Sequence, residues 1–164
     1  LKLTRKKFKC AVITGDVETD MDAARLKKYC PHVWQIKTRQ ACHLSADQIN
    51  RLLPSVARTG AKLLFIENVG NLVCPSAFDL GENFKMAVLS VAEGEEKPVK
   101  YPLLFSLARI AVITKIDLLP HIDYNIKLTH RYLQKIHPGI FVFETSSKSG
   151  KGIKEGINYL EKLA

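Results

Sequence analysis

Short apolar runs alternate along the chain with segments of helical periodicity. Near-continuous runs of aliphatic and aromatic residues occupy 10–16, 62–68, 86–94, 110–117 and 140–146, and a weaker sixth occupies 32–38. Runs of this kind are typical of strands that are covered on both faces. Helical patterns cover residues 20–29, 45–59, 124–136 and 152–163. This alternation predicts an α/β fold, with a mostly parallel central sheet and helices on both of its faces.

The length and composition favour one globular domain. The chain has 164 residues, so we expect a single domain over 1–164, with the polar residues 93–102 forming a loop. No apolar run approaches the roughly 18 residues of a membrane span, and the basic start LKLTRKKFK is not a signal peptide. The four cysteines are then thiols or metal ligands rather than a disulfide framework. We expect a cytoplasmic protein with no membrane partner.

The formal net charge of +9 bears on possible partners. Part of this charge lies in the basic cluster at residues 2–9, which has two interpretations: a nucleic-acid contact or a solvated helix face. Apart from Phe8, no aromatic residue alternates with these charges as base stacking would require. We therefore expect no nucleic-acid partner, whereas a nucleotide phosphate would suit a basic protein.

Polar clusters follow four of the predicted strands. They are, in chain order, residues 15–16 (GD), 67–70 (ENVG), 114–117 (TKID) and 145–148 (TSSK). In parallel α/β sheets the ligand-binding residues lie just beyond the carboxyl ends of the strands. Together, in this order, the four clusters resemble the motifs of P-loop GTPases.

The sequence TKID predicts a carboxylate that reads guanine. Asp117 can accept hydrogen bonds from both the ring N–H and the exocyclic amine of guanine, donors that adenine lacks. The stem of Lys115 could lie over the purine ring. We expect Ser146, Ser147 and Lys148 at the opposite edge of the base. In the alternative interpretation Asp117 is only the N-cap of the segment that follows it, but the later serine–lysine cluster favours guanine.

Three acidic residues, Asp16, Asp22 and Glu67, are candidate ligands of Mg²⁺ near the phosphates. This ion prefers hard oxygen ligands and keeps several waters, so the carboxylates could act directly or through water. We assign catalytic roles to Asp16 and Glu67, and a nucleotide contact to Gly70. GTPases commonly have Asp-x-x-Gly where this chain has Glu67 to Gly70.

That departure narrows the resemblance to one family. The string IENVGNLVCPSAFDLGE closely resembles the hallmark of the HypB family, GTPases that help deliver nickel to nickel–iron hydrogenase. The stretches GDVETDMDAARLKKY, ACHLSAD and VAEGEEKPVKYPLLF agree with it. The resemblance implies GTP and GDP as nucleotides, Mg²⁺ as cofactor, and nickel-accepting hydrogenase maturation proteins as partners.

The resemblance also implies a transition-metal site. In that family the residues that match Cys42, His43 and Cys74 bind nickel or zinc at the interface of a homodimer. Thiolate and imidazole suit Ni²⁺ and Zn²⁺, and a two-fold axis would bring two such sets together. In the alternative interpretation Cys42 and Cys74 are small buried apolar residues. The position of Cys74 before a proline, on a predicted polar loop, argues against burial.

The remaining cysteines and histidines receive no functional role. Residues 30–32 spell Cys-Pro-His, the metal motif of the related urease accessory GTPase, but lie at the end of a helix instead of in the equivalent loop. We expect Cys10 in the core, and His121, His130 and His137 at the surface.

The phosphate-binding sequence G-x-x-x-x-G-K-S/T has no match in the 164 residues. Residues 149–152 (SGKG) lack both the earlier glycine and the following hydroxyl. By resemblance the motif would precede GDVETD, so we expect a GTPase domain that is N-terminally incomplete, with its first strand and P-loop missing. The alternative is a non-catalytic metal-binding or interaction module on the same fold, with its nucleotide machinery lost.

Overall fold

The computed structural model describes residues 1–4, 7–19, 21–39 and 41–163. The chain divides into two compact units, an N-terminal unit of residues 1–81 and a C-terminal unit of residues 82–163. Among the described residues no helix combines the length and the apolar character that crossing a membrane requires.

The N-terminal unit is built on a parallel sheet of three strands, β1 (Cys10–Asp16), β2 (Val33–Lys37) and β3 (Leu63–Glu67), in the order β2-β1-β3. The central strand β1 is buried from its first residue to Gly15, because it has a hydrogen-bonded neighbour on each side. The register places Thr14 of β1 opposite Glu67 of β3. The carboxyl ends of these two strands therefore lie side by side.

The described residues of this unit form three α-helices: α1 (Met21–Lys27), α2 (Ala46–Arg58) and α3 (Cys74–Ala77). The start of α2 is fixed by a capping box between Ser45 and Gln48, and its end is followed by Gly60 at φ +67°. The predicted helix 20–29 ends earlier, at Lys27, since Cys30 and the following proline continue toward β2, and its predicted start at residue 20 lies outside the described residues.

Side chains on the two faces of β1 enter two separate apolar clusters. Ala11 and Ile13 pack with Leu44 and with α2, while Cys10 and Val12 pack with Cys30. Alternate residues of a strand point to opposite faces, so both faces of this sheet are covered.

The C-terminal unit has a second parallel sheet of β4 (Lys85–Ser90), β5 (Ala108–Thr114) and β6 (Phe141–Glu144), in the order β4-β5-β6. Its helices are α4 (Lys97–Lys100), α5 (Pro102–Leu107), α6 (Ile126–Ile136) and α7 (Ile153–Leu163). One face of the sheet packs on Phe105 and Leu133, from α5 and α6. On the other face Tyr159 of α7 lies against Phe141 and Phe143, with ring centroids 4.6 Å and 5.6 Å apart.

The predicted α/β class, with parallel strands and helices, is confirmed, and in the part of the chain that the structure describes six strands are divided between two sheets of three. Two predicted strands end three or four residues early. The strand predicted over 110–117 stops at Thr114, because Lys115 is left-handed at φ +59° and a 3₁₀ helix follows over Ile116–His121. The strand predicted over 86–94 stops at Ser90, whose capping box with Glu93 starts a short 3₁₀ turn.

The predicted loop over 93–102 is wrong in its second half. Residues 97–100 form α4, and residue 102 begins α5. Pro98 and Pro102 lie in the first turns of these helices, where a proline loses no hydrogen bond and has the required φ.

Candidate nucleotide and metal sites

Asp117 and Ser146 meet at the carboxyl ends of β5 and β6. The hydroxyl of Ser146, a fully buried residue, donates to Oδ1 of Asp117 at 2.6 Å and accepts from the backbone N–H of Ser149 at 3.1 Å. The Ser146 hydrogen bond lowers the pKa of Asp117, and the charge of Lys148 acts in the same direction. Asp117 is therefore held ionised, with one of its oxygens oriented by a neighbour.

Backbone contacts fix the loop that carries Ser146. The N–H of Ser146 donates to the carbonyl of Lys151 at 3.0 Å, and its carbonyl accepts from Gly150 at 2.8 Å. Gly152 is left-handed at φ +70°, and a Cβ there would lie 1.8 Å from the carbonyl oxygen of Glu144. Only glycine fits this position, so the close approach of the loop to β6 depends on Gly152.

The structure brings together Asp117 and Ser146 and leaves Lys115, Ser147 and Lys148 exposed beside them. The interpretation of Asp117 as an N-cap is wrong: Lys115 occupies the cap position, no side chain caps this 3₁₀ helix, and the Asp117 carboxylate binds Ser146 instead.

Cys42 and Cys74 also meet, within the N-terminal unit. The neighbouring thiol of Cys74 raises the pKa of Cys42, because it favours the protonated form of the Cys42 thiol. The Sγ of Cys42 lies 3.7 Å from Nδ1 of His43. Both cysteines are free and partly exposed, so the interpretation of these residues as buried apolar side chains is wrong.

Cys74 and His43 are each positioned by residues close to them in the structure. Cys74 is the first residue of α3, not part of a loop, and Pro75 provides the helical φ of the first turn. The ring of His43 stacks on Phe78, with centroids 3.9 Å apart and planes 7° from parallel. Stacking of this kind limits the rotation of the imidazole.

Asn68 is a residue of this region that the sequence did not single out. Its Oδ1 accepts from the backbone N–H of Leu44 at 2.8 Å and from that of Val69 at 2.9 Å. The signal that could have found it is an asparagine directly after a buried strand, since such side chains often accept from nearby backbone N–H groups.

The three candidate magnesium ligands have different environments. Oδ1 of Asp16 accepts from the N–H groups of Thr19 and Glu18 at 2.7 Å and 2.8 Å, and these bonds lower the pKa of Asp16. Partial burial raises the pKa of Glu67, the negative charge of Asp22 raises it further, and a 3.3 Å bond from Thr14 opposes both.

Over residues 1–4, 7–19, 21–39 and 41–163, no three His, Cys, Asp or Glu side chains are arranged as they stand to hold one metal ion. Cys42 contacts both His43 and Cys74, and Asp22 acts on Glu67, but neither set forms such a group. Both ligand sets stay predictions, as does the nucleotide contact of Gly70.

The other cysteines and histidines have local roles. Cys10 is buried as expected, and the buried thiol of Cys30 donates to the carbonyl of Cys10 at 3.2 Å, so Cys30 belongs to the core. His121 is exposed as expected. His130 and His137 are instead half-buried: His130 lies 2.8 Å from Glu144, and His137 is 3.0 Å from the carbonyl oxygen of Ala108.

The family model described as "CobW/HypB/UreG, nucleotide-binding domain" matches residues 1–144. The chain belongs to this family.

The resemblance to HypB inferred from the motifs is confirmed by relatives of that name. Hydrogenase maturation factor HypB of Azotobacter vinelandii is 44% identical over 162 residues, and that of Escherichia coli strain K12 is 43% identical over 152 residues. The matches cover 99% and 93% of this chain but 54% and 52% of those proteins. The chain thus spans about half the length of these relatives.

Two solved structures share the fold. The crystal structure of HypB from Helicobacter pylori in complex with nickel matches with a TM-score of 0.89 and 38% identity, over 96% of this chain and 75% of that one. HypB from Archaeoglobus fulgidus matches with a TM-score of 0.88 and 34% identity, over 98% of this chain and 78% of that one.

Proposed function

We propose that this chain belongs to the guanine-nucleotide-binding, GTP-hydrolysing domain of a metallochaperone that carries nickel for the maturation of nickel–iron hydrogenase. Family membership supports the nucleotide, because the matching model describes a nucleotide-binding domain. The names of the relatives support the biological role, and the nickel complex of the Helicobacter pylori protein supports the cargo.

Guanine selection follows from the Asp117 environment. A carboxylate that is kept ionised can accept both guanine donors through charge-assisted hydrogen bonds. Because Ser146 already holds one oxygen of Asp117, the carboxylate needs little reordering when the base arrives. Lys115, Ser147 and Lys148 stay exposed and can close on the base.

The observation that carries the proposal is the contact between the thiols of Cys42 and Cys74 beside His43. Soft thiolates and an imidazole are suitable donors for Ni²⁺, and Zn²⁺ would accept the same set. A divalent metal ion that binds both sulfurs as thiolates would displace the two thiol protons, since thiolates are the ligating form. Three ligands leave one position open, as a carrier that hands on its ion requires. A homodimer would add the matching residues of a second subunit.

The phosphate end would use Asp16, Asp22, Glu67 and Gly70, near the ends of β1 and β3. The raised pKa of Glu67, caused in part by Asp22, indicates carboxylates close enough to repel each other, and a divalent cation would relieve that repulsion. Bound Mg²⁺ would neutralise charge that develops on the transferred phosphoryl group. Asp16, with two backbone donors on one oxygen, would hold its charge in a fixed direction.

The two activities are proposed to be coupled. Cys74 follows Glu67 by only seven positions, in a segment that in GTPases moves when the γ-phosphate is gained or lost. GTP binding would tighten the dimer and reposition Cys74, and hydrolysis would loosen the site so that nickel passes to a maturation partner. The free thiols suit a reducing compartment, so the protein is proposed to act in the cytoplasm.

A nickel titration tests this function. Nickel affinity is measured with GDP, with a non-hydrolysable GTP analogue and without nucleotide, and subunit association is followed by light scattering on the same samples. We expect the affinity and the association to differ between GDP and the analogue. Equal nickel affinity in all three conditions would contradict coupling, and absence of any guanine-nucleotide binding would favour the non-catalytic metal-binding module.

A further inference from the structure

Asn68 contacts both segments that carry the proposed nickel ligands. One atom, its Oδ1, accepts from Leu44, directly after His43, and from Val69, at the start of the segment that leads to Cys74. This inference therefore rests on the proposed nickel function, and it concerns a residue outside the ligand set.

In the segment that carries Cys42 and His43, the residues that follow His43 are fixed in place. Leu44 is fully buried, and its side chain fills the space beside Gly15, where an added Cβ would lie 2.7 Å from Leu44 Cγ. Ser45 then caps α2. With its side chain in the core and its N–H bonded to Asn68, Leu44 holds the residue before it in a defined place.

In the segment that leads to Cys74, short hydrogen bonds connect Asn68 to Cys74. The N–H of Asn71 donates to the carbonyl of Val69 at 2.7 Å, and Oδ1 of Asn71 accepts from the N–H of Val73 at 2.8 Å. Val73 directly precedes α3, whose first residue is Cys74. This route from Asn68 to Cys74 is a series of local turns.

We propose that Asn68 is a positioning residue for the nickel site: its Oδ1 joins the segment of Cys42 and His43 to the segment of Cys74, so that the two thiols meet. Without this acceptor the Leu44 N–H loses its partner, and the two segments lose the backbone-to-side-chain hydrogen bond that joins them here. Groups that orient metal ligands without touching the metal typically change metal affinity about 10- to 100-fold when they are removed.

The experiment measures nickel affinity by competition with a chromophoric chelator in variants of the protein. Asn68→Ala is expected to bind nickel about 10- to 100-fold more weakly. Asn68→Ser, whose hydroxyl is too short to reach Leu44, is expected to behave in the same way and serves if the alanine variant folds poorly. Asn68→Asp keeps the acceptor and is expected to stay within about threefold of the unaltered protein.

Asn125→Ala is the matched control, because Oδ1 of Asn125 also accepts from a backbone N–H, that of Leu128, but caps α6 in the C-terminal unit. It is expected to lower the thermal unfolding midpoint, because a helix cap is lost, and to leave nickel affinity unchanged. A second readout uses no metal: in Asn68→Ala the amide of Leu44 should exchange with deuterium faster, and Cys42 and Cys74 should no longer form a disulfide readily with a mild disulfide oxidant.

The outcomes separate the two proposals. If the unaltered protein binds no nickel, the proposed nickel function fails and the positioning role fails with it. If it binds nickel and both Asn68→Ala and Asn68→Ser bind it equally well, only the positioning role is overturned. Equal weakening in Asn125→Ala, or no rescue by Asn68→Asp, would also overturn it, since the effect would then not come from the shared acceptor.

Discussion

The loop that holds Asp117 in place and the segments that hold Cys42 and Cys74 differ in how much of their geometry the chain fixes by itself. Ser146 is buried, orients Asp117 at 2.6 Å and is closed into its loop by backbone bonds. The two thiols have each other and His43 as neighbours, and Val73 beside them is 58% exposed.

This difference fits two kinds of ligand. A base that must be distinguished from other bases is best read by groups that are already in place, because preorganisation lowers the entropy lost on binding. A metal ion that must be released is better held by ligands that come into their final arrangement only when the ion binds and a second subunit is present. The predictions below test whether one region is rigid and the other depends on its ligand, from the largest expected effect to the smallest.

Gly152→Ala should produce the largest effect, by opening the rigid loop. The new Cβ would overlap the carbonyl oxygen of Glu144 at 1.8 Å, and the φ of +70° is unfavourable for alanine. We expect a loss of about 3 kcal/mol or more in stability, with a loss of GDP binding, measured by thermal unfolding and nucleotide titration.

Gly150→Ala is its control. Gly150 has a similar φ of +81° but no atom within 4 Å of an added Cβ, so only about 1–2 kcal/mol of backbone strain is expected. Equal losses in the two variants would show that contact with β6 does not matter.

Asp117→Asn should change the base preference of the site. The amide presents a donor where guanine also has one, whereas xanthine offers an acceptor there. We expect GDP affinity to fall about 100-fold, since two hydrogen bonds to a charged group are affected, and XDP to be preferred. Titrations with GDP and XDP test this, with Asp123→Asn, at an exposed position of the same unit, as control. Unchanged discrimination would remove Asp117 from base recognition.

Cys74→Ala should weaken the metal site without affecting the base site. Because Cys74 is a proposed ligand, its loss should lower nickel affinity by more than the roughly tenfold minimum for a group that only orients a ligand. Any metal-dependent dimer should weaken with it, while GDP affinity stays unchanged. Nickel titration and light scattering measure both.

Cys30→Ala removes a buried thiol that contacts the carbonyl groups of Cys10 and His32, and it serves as the control. It should reduce stability and leave nickel affinity intact. A similar nickel loss in both variants would mean that the Cys-Pro-His sequence at 30–32 has a metal role after all.

Most of the strands could be predicted from apolar runs, because a strand of a parallel sheet is covered on both faces and therefore consists mainly of apolar residues. The strand ends could not, since they depend on single conformations such as the left-handed Lys115. The short helices α3, α4 and α5 were missed because their start depends on a proline in the first turn more than on periodicity.

The sequence predicted the contacts of the nucleotide site better than those of the metal site. Spacing alone suggested that Asp117 and the serine–lysine cluster meet, since both follow strands of a parallel sheet. The contact between Cys42 and Cys74 required the family resemblance, because neither residue lies at a strand end. Asn68 was missed because its partner Leu44 lies 24 residues earlier, a pairing that only the folded chain reveals.

Ser146→Ala should give the smallest effect, and it isolates preorganisation from base contact. Loss of the hydroxyl removes the bond that holds the Asp117 carboxylate, so we expect GDP affinity at neutral pH to fall about threefold. The pKa of Asp117, now below its usual 3.8, should rise because Ser146 is the main cause of its depression.

The dependence of GDP affinity on pH tests whether Ser146 lowers the pKa of Asp117. A carboxyl with a lowered pKa contributes stability and base affinity that are fully present above its ordinary value of 3.8 and are lost as pH falls through the lowered value. In Ser146→Ala the loss of GDP affinity should therefore begin at a higher pH than in the unaltered protein. Titrations between pH 7 and about pH 3 measure it. Ser106→Ala, which removes an exposed hydroxyl bonded to Leu103 in the same unit, should leave the profile unchanged. If the two profiles of Ser146→Ala and the unaltered protein coincide, the serine does not tune Asp117, and the base-reading loop is no more preorganised than the metal segments.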